Sequence, residues 1–181
     1  DAGASAVNDV SCLRNADLAR VAAASGAALV LMHARGTQRQ MSGFSAYPDD
    51  AYGDVVDDVL REWEQAAARA AEAGLERAAL VMDPGLGFAK NARHSLELLR
   101  RTGELVARLD VPVAVGASRK SFLAVADRPG GAKSAPTERL GASLAAAMHA
   151  RRSGAALLRV HDVRATAQAV DLDLQLAGRG P

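Results

Sequence analysis

The chain has 181 residues, 49% apolar and 24% charged, and its 22 Lys and Arg nearly balance its 21 Asp and Glu, for a net charge of +1. That composition excludes a disordered segment, and the even charge leaves no basic field for nucleic acid or an anionic membrane. The single cysteine, Cys12, excludes an internal disulfide, no apolar run approaches the ~20 residues of a membrane span, and a reducing cytoplasm is the expected compartment.

The chain opens DAGAS, without Met and without the start of a helix or strand, and is expected to begin in mid-fold. Five short apolar segments then predict buried parallel strands: 4–9 (ASAVND), 28–33 (ALVLMH), 78–83 (AALVMD), 112–118 (PVAVGAS) and 156–162 (ALLRVHD). Helical patterns lie between and after them, at 15–25, 51–73, 92–109, 137–153 and 162–177. Gly3, Gly26, Gly74 and Gly154 stand just before a strand, where a left-handed backbone is wanted. In the last helix Val163, Ala167, Val170 and Leu174 predict one apolar stripe turned toward the sheet. Val56, Val59, Leu60 and Trp63 read as core on the long helix.

Alternating strands and helices imply an α/β fold with a parallel sheet, either doubly wound or a (β/α)8 barrel. An open sheet concentrates chemistry at one switch point. In this chain every predicted strand ends in polar residues: Asn8 and Asp9, His33, Asp83, Ser118 to Lys120, and Arg159 with His161. A barrel would gather them at one mouth, so the expectation is a partial TIM barrel with about five of eight βα units, the whole of 1–181 forming one domain.

Ionised Asp83 offers two in-plane acceptors, which match a flat heterocycle presenting a ring N–H beside an amino group, as a 2-aminopyrimidinone does. Asn8, one donor and one acceptor, suits the opposite edge of such a ring. Pro84, Gly85 and Gly87 let the backbone turn sharply, and Phe88 can lie against an aromatic face. The alternative for Asp83 is a carboxylate that caps a helix or pairs with an arginine.

The segment Val115 to Leu123, VGASRKSFL, runs from a strand into charge, and Ser121 is expected to cap a short helix. Three lysines stand beside nineteen arginines, so Lys120 next to Arg119 suggests that a compact ammonium is wanted there, the alternative being a solvated basic turn. RPGGAKS at 128–134 lacks the glycine of a phosphate loop at Ala132, and Arg128 to Ala135 reads as a mobile loop. Arg159 and His161 alternate on one strand face and suit a phosphate or pyrophosphate, a structural ion pair being the alternative. His33 reads as a packing histidine, His94 and His149 as helix-surface residues. No HxH pattern accompanies His33, Asp83 and His161, which argues against a metallohydrolase.

In order, NDV (8–10), LMHARGT (31–37), DPGLGFAKN (83–91), VGASRKS (115–121), ERLGASLA (138–145) and RVHDV (159–163) closely resemble the dihydropteroate synthases, over nearly the whole chain. The resemblance implies a (β/α)8 barrel and a transferase of folate synthesis. Such an enzyme condenses a dihydropterin pyrophosphate with p-aminobenzoate, releases pyrophosphate, and is blocked by sulfonamides. By the same resemblance Asn8, Met32, Asp83, Phe88, Gly116 and Lys120 would hold the pterin and Ser118 and Arg119 the p-aminobenzoate. Arg159 and His161 would hold the pyrophosphate, and Lys120, Arg159 and His161 would be catalytic. Leu86 departs from a second phenylalanine common in the family. Mg²⁺ and a homodimer are implied, yet the strands and loops that carry the magnesium residue and a further pterin-binding aspartate have no counterpart in the sequence, so activity of this chain alone is not expected. Two other readings remain open: a pterin-binding methyltransferase domain passing a methyl group from methyltetrahydrofolate to a corrinoid, and a non-catalytic pterin-binding module.

Overall fold

A computed structural model describes residues 3–36, 47–127 and 132–179. In chain order it contains β1 (Ala6–Asp9), α1 (Asp17–Ser25), β2 (Ala28–Met32), α2 (Val55–Glu72), β3 (Leu80–Asp83), α3 (Ala92–Arg100), α4 (Thr102–Arg108), β4 (Ala114–Val115), α5 (Leu140–Arg152), β5 (Leu157–Leu158) and α6 (Val163–Leu176). Every pairing is parallel: β1 with β2, β2 with β3, β4 with β5. A bridge between Met82 and Val113, with the Met82 N–H donating to the Pro112 carbonyl at 2.8 Å, joins β3 to β4. Strand order therefore follows chain order without reversal. A doubly wound sheet reverses at its switch point, whereas an unreversed run of βα units is the wall of a barrel.

Residues in register share a face of the sheet. Asn8 pairs with Val30, Val30 with Val81, and Met32 with Asp83, so these line one face. Leu29, Leu31, Leu80 and Met82 line the other and are fully buried beneath the helices. Burial on this scale stabilises by about 1.5–3 kcal/mol per large side chain. α2 shows how a helix is seated: Asp54 accepts from the Val56 and Asp57 N–H groups at 2.9 and 3.0 Å to start it, and the buried Trp63 indole donates to the Leu31 carbonyl at 2.9 Å. Gly26 and Gly74, at φ 66 and 91, turn the chain back toward the next strand, as expected of residues free of a Cβ. No described helix is long and apolar enough to cross a membrane.

Four expectations are corrected. The strands predicted at 112–118 and 156–162 keep ladder geometry only at Ala114–Val115 and Leu157–Leu158. Beyond Arg159, whose N–H reaches the Val115 carbonyl at 3.0 Å, the His161 N–H turns to the Ser118 hydroxyl at 3.2 Å, so a side chain replaces the ladder partner. The helix predicted at 92–109 breaks at Arg101 into α3 and α4, because the Thr102 hydroxyl bonds back to the Leu98 and Leu99 carbonyls and Gly103 follows. Ser121 begins a 3-10 turn, Ser121–Ala126, without capping it. The predicted stripe on α6 is displaced: Val163 and Ala167 are exposed, and Thr166 and Asp173 are buried instead. α6 packs on α5, where Asp173 receives Arg151 and Arg152. Of the loop read at 128–135, residues 128–131 lie outside the described residues, as does Thr37.

Candidate active site

Asp83 ends β3 and is 7% exposed. Its Oδ1 accepts from the Gly85 N–H at 2.7 Å, and among the described residues it neither caps a helix nor pairs with an arginine. Gly85 has φ 66, and a Cβ there would stand 2.0 Å from the His33 carbonyl oxygen, so only glycine lets the loop press onto the end of β2. The His33 N–H donates to the Asp83 carbonyl at 2.8 Å and extends the ladder to the loop.

Lys120 folds over this loop. Its ammonium donates to the Leu86 carbonyl and lies 4.7 Å from the centre of the Phe88 ring, while its stem would meet a Cβ on Gly87 at 3.5 Å. Burial lowers the Lys120 ammonium to about 8; Asp83 opposes that fall and Arg159 adds to it. Burial likewise raises the Asp83 carboxyl, against the Gly85 N–H and the charges of Lys120, Lys90 and Arg159. The predicted trio of Asp83, Lys120 and Arg159 thus shares one electrostatic neighbourhood. Gly116 lies beside Arg159: a Cβ on it would stand 3.7 Å from the Arg159 Cβ.

Asn8 and Met32 share the Asp83 face of the sheet, Asn8 exposed and Met32 buried. Their neighbour Asp9 has a different task. Turned to the helix side, it accepts from the Ser11 N–H and hydroxyl at 3.1 and 2.6 Å and from the Leu13 N–H at 2.7 Å, holding Cys12 and Leu13 at positive φ.

Ser118 is buried, and its hydroxyl lies 3.1 Å from His161 Nδ1, which places it against the predicted anion clamp. The Arg119 guanidinium is held by Asp162, Nε to Oδ2 at 3.0 Å and Nη2 to Oδ1 at 2.5 Å. Its backbone, at φ 59, is fixed by the Ser143 hydroxyl and Arg139. Arg159 is exposed and has no ion pair among the described residues, and His161 is exposed beside it. The arrangement can hold a flat polar heterocycle at Asp83 and an anion at the end of β5.

Behind Asp83 lies a polar chain that strand-end reading missed. Lys90 is fully buried, its Nζ 2.8 Å from His33 Nδ1. His33 Nε2 stands 3.1 Å from Glu62, which takes the Arg35 guanidinium in a two-pronged pair. The signal was present: lysine is as rare at 90 as at 120. His94, expected at the surface, is 3% exposed and packs edge-on against Tyr52 at 5.0 Å, because α3 turns it toward α2. Cys12 is buried and free.

Among the described residues no three His, Cys, Asp or Glu side chains converge as a metal site. Held by such side chains alone, the implied Mg²⁺ has no site among the described residues.

Residues 1–161 match the family model described as pterin binding enzyme. The dihydropteroate synthase of Mycobacterium leprae is 42% identical over 173 residues, covering 93% of this chain and 58% of that protein. The Escherichia coli K12 dihydropteroate synthase is 36% identical over 168 residues, 93% of this chain and 56% of that protein. A dihydropteroate synthase from Xanthomonas albilineans, solved in complex with 7,8-dihydropteroate, superposes with a TM-score of 0.81 at 34% identity, covering 99% of this chain and 63% of that one. The chain thus spans somewhat under two thirds of the length of these relatives. With its barrel order and its loaded strand ends, the chain belongs to the family of pterin binding enzymes.

Proposed function

We propose that this chain supplies the pterin and pyrophosphate subsites of a dihydropteroate synthase. One observation carries the reading: a buried carboxylate, Asp83, shares its electrostatic neighbourhood with Lys120, whose ammonium lies on the Phe88 ring, and with Arg159, which stands exposed with His161 past the end of β5 and has no ion pair among the described residues. Asp83 takes the ring N–H and amino group of the pterin, Asn8 the opposite edge, and Met32, Phe88 and Gly116 bound the ring. The C–O bond between the pterin methylene and pyrophosphate breaks, Arg159 and His161 stabilise the departing anion, and the aniline nitrogen of p-aminobenzoate attacks the methylene carbon and then loses a proton to solvent. Lys120 stands between the two substrates, with Ser118 and Arg119 on the p-aminobenzoate side. A homodimer, a cytoplasmic setting and competition by sulfonamides belong to the same proposal.

Calorimetric titration with 6-hydroxymethylpterin and with pyrophosphate tests it. Binding of both, each strengthening the other, is expected. A site that takes pterin but no anion favours the methyltransferase reading, and a site that takes neither overturns the assignment.

A further inference from the structure

Lys90 has no exposure, yet all its donors are used: His33 Nδ1 at 2.8 Å, the Phe88 carbonyl at 3.1 Å and the Gly85 carbonyl at 3.3 Å. Three acceptors match the three N–H groups of an ammonium. For Nδ1 to accept, His33 must carry its proton on Nε2, and that proton points to Glu62 Oε2 at 3.1 Å. Glu62 in turn accepts from Arg35 Nε at 2.9 Å, so donors and acceptors alternate without conflict from Arg35 to the loop. The two carbonyls held by Lys90 bracket the turn whose Gly85 N–H binds Asp83.

A buried cation is expensive unless a counter-charge faces it. Lys90 and the Asp83 carboxylate hold the two sides of one residue, Gly85, and act on each other across it; Lys120, Arg35 and the Cys12 thiol also act on Lys90, and Lys120 and Arg159 on Asp83. Lys120 reaches the loop from beyond β4, through the Leu86 carbonyl, whereas Lys90 is fixed behind it. We propose that Lys90 is a positioning residue: it keeps the buried Asp83 carboxylate ionised and holds the Gly85 to Phe88 turn in the shape that receives a ligand, its own orientation fixed by His33 and Glu62. Burial brings the Lys90 ammonium down to about 7 and Asp83 opposes that fall, consistent with a mutual pair. The use of that carboxylate rests on the proposed pterin site; its ionisation does not.

The test is a carboxyl-carbon NMR titration of Asp83 in the chain and in Lys90→Met, with 6-hydroxymethylpterin affinity followed over the same pH range. The Asp83 midpoint is expected to rise by one unit or more in the variant, a tenfold or greater loss of ionised fraction on its acid side. The acid limb of pterin binding should move with it. A purely structural role would lower affinity by the same factor at every pH. An unmoved Asp83 midpoint in folded Lys90→Met overturns the proposal. So does a His33 ring proton on Nδ1, read by nitrogen NMR in the unmodified chain, a measurement that needs no variant. A shifted midpoint with no pterin bound by either chain supports the charge pair and overturns only the proposed substrate.

Discussion

In the proposed site the buried Asp83 would meet a ring N–H, so its loss should be felt as an unmatched donor. Asp83→Asn is expected to weaken pterin binding by about 1–3 kcal/mol, since one acceptor becomes an N–H facing another N–H; unchanged affinity by calorimetry would refute the paired-acceptor role. Lys120→Arg should lower turnover in the protein that carries this chain, because the space under the ammonium is taken by Phe88, 4.7 Å away, and by Gly87. Full turnover in that variant would reduce Lys120 to a surface charge. Gly85→Ala places a methyl group 2.0 Å from the His33 carbonyl oxygen at φ 66. Overlap and the left-handed backbone together should cost on the order of 3 kcal/mol, seen as a lower urea midpoint at constant slope.

At the scale of elements, α2 decides whether Glu62 and Trp63 reach their partners, and its first turn depends on Asp54, whose second oxygen also takes Arg101 at 2.7 Å. Asp54→Ala should therefore destabilise the chain by about 1 kcal/mol, measured by urea unfolding, and an unaffected midpoint would mean the cap is replaced by solvent. All five strands were legible in sequence because each is a short apolar run ended by a polar residue, and α1, α2 and α5 because Gly26, Gly74 and Gly154 mark their exits. What stayed illegible depends on partners distant in the chain. Lys90 and His33 are 57 residues apart, and His33 and Glu62 are 29, so no local pattern joins them. The face of α6 was misread for the same reason: a buried Asp173 answers Arg151 and Arg152 on α5, and polarity alone places it outside. The break at Arg101 follows from a hydroxyl bonding back to two carbonyls, which the spacing of apolar residues does not record.

For the whole molecule, with a net charge of only +1, acid sensitivity should come from particular buried groups and not from general repulsion. Burial, aided by Lys90 and opposed by Glu62, lowers His33 from 6.5 to about 4. Burial of Glu62 acts to raise it, but hydrogen bonds from Arg35 and His33 outweigh that and hold it far below the usual carboxylate range. Above pH 6.5 neither folded nor unfolded chain protonates His33, and its contribution is complete. Between about pH 6.5 and 4 the unfolded chain takes up a proton that the folded chain refuses, so stability falls with pH, by about 3 kcal/mol over that window. Glu62 adds a loss of the same sign once pH drops below its ordinary value, while the raised Asp83 works in the opposite direction. His33→Gln offers an oxygen to Lys90 and an N–H to Glu62 but does not titrate. Urea unfolding at a series of pH values should therefore show a steep fall from pH 6.5 to 4 in the unmodified chain and a markedly flatter one in His33→Gln. Equal slopes would mean that His33 is protonated in the folded chain and that the alternation of donors from Arg35 to the Asp83 loop is broken at its middle.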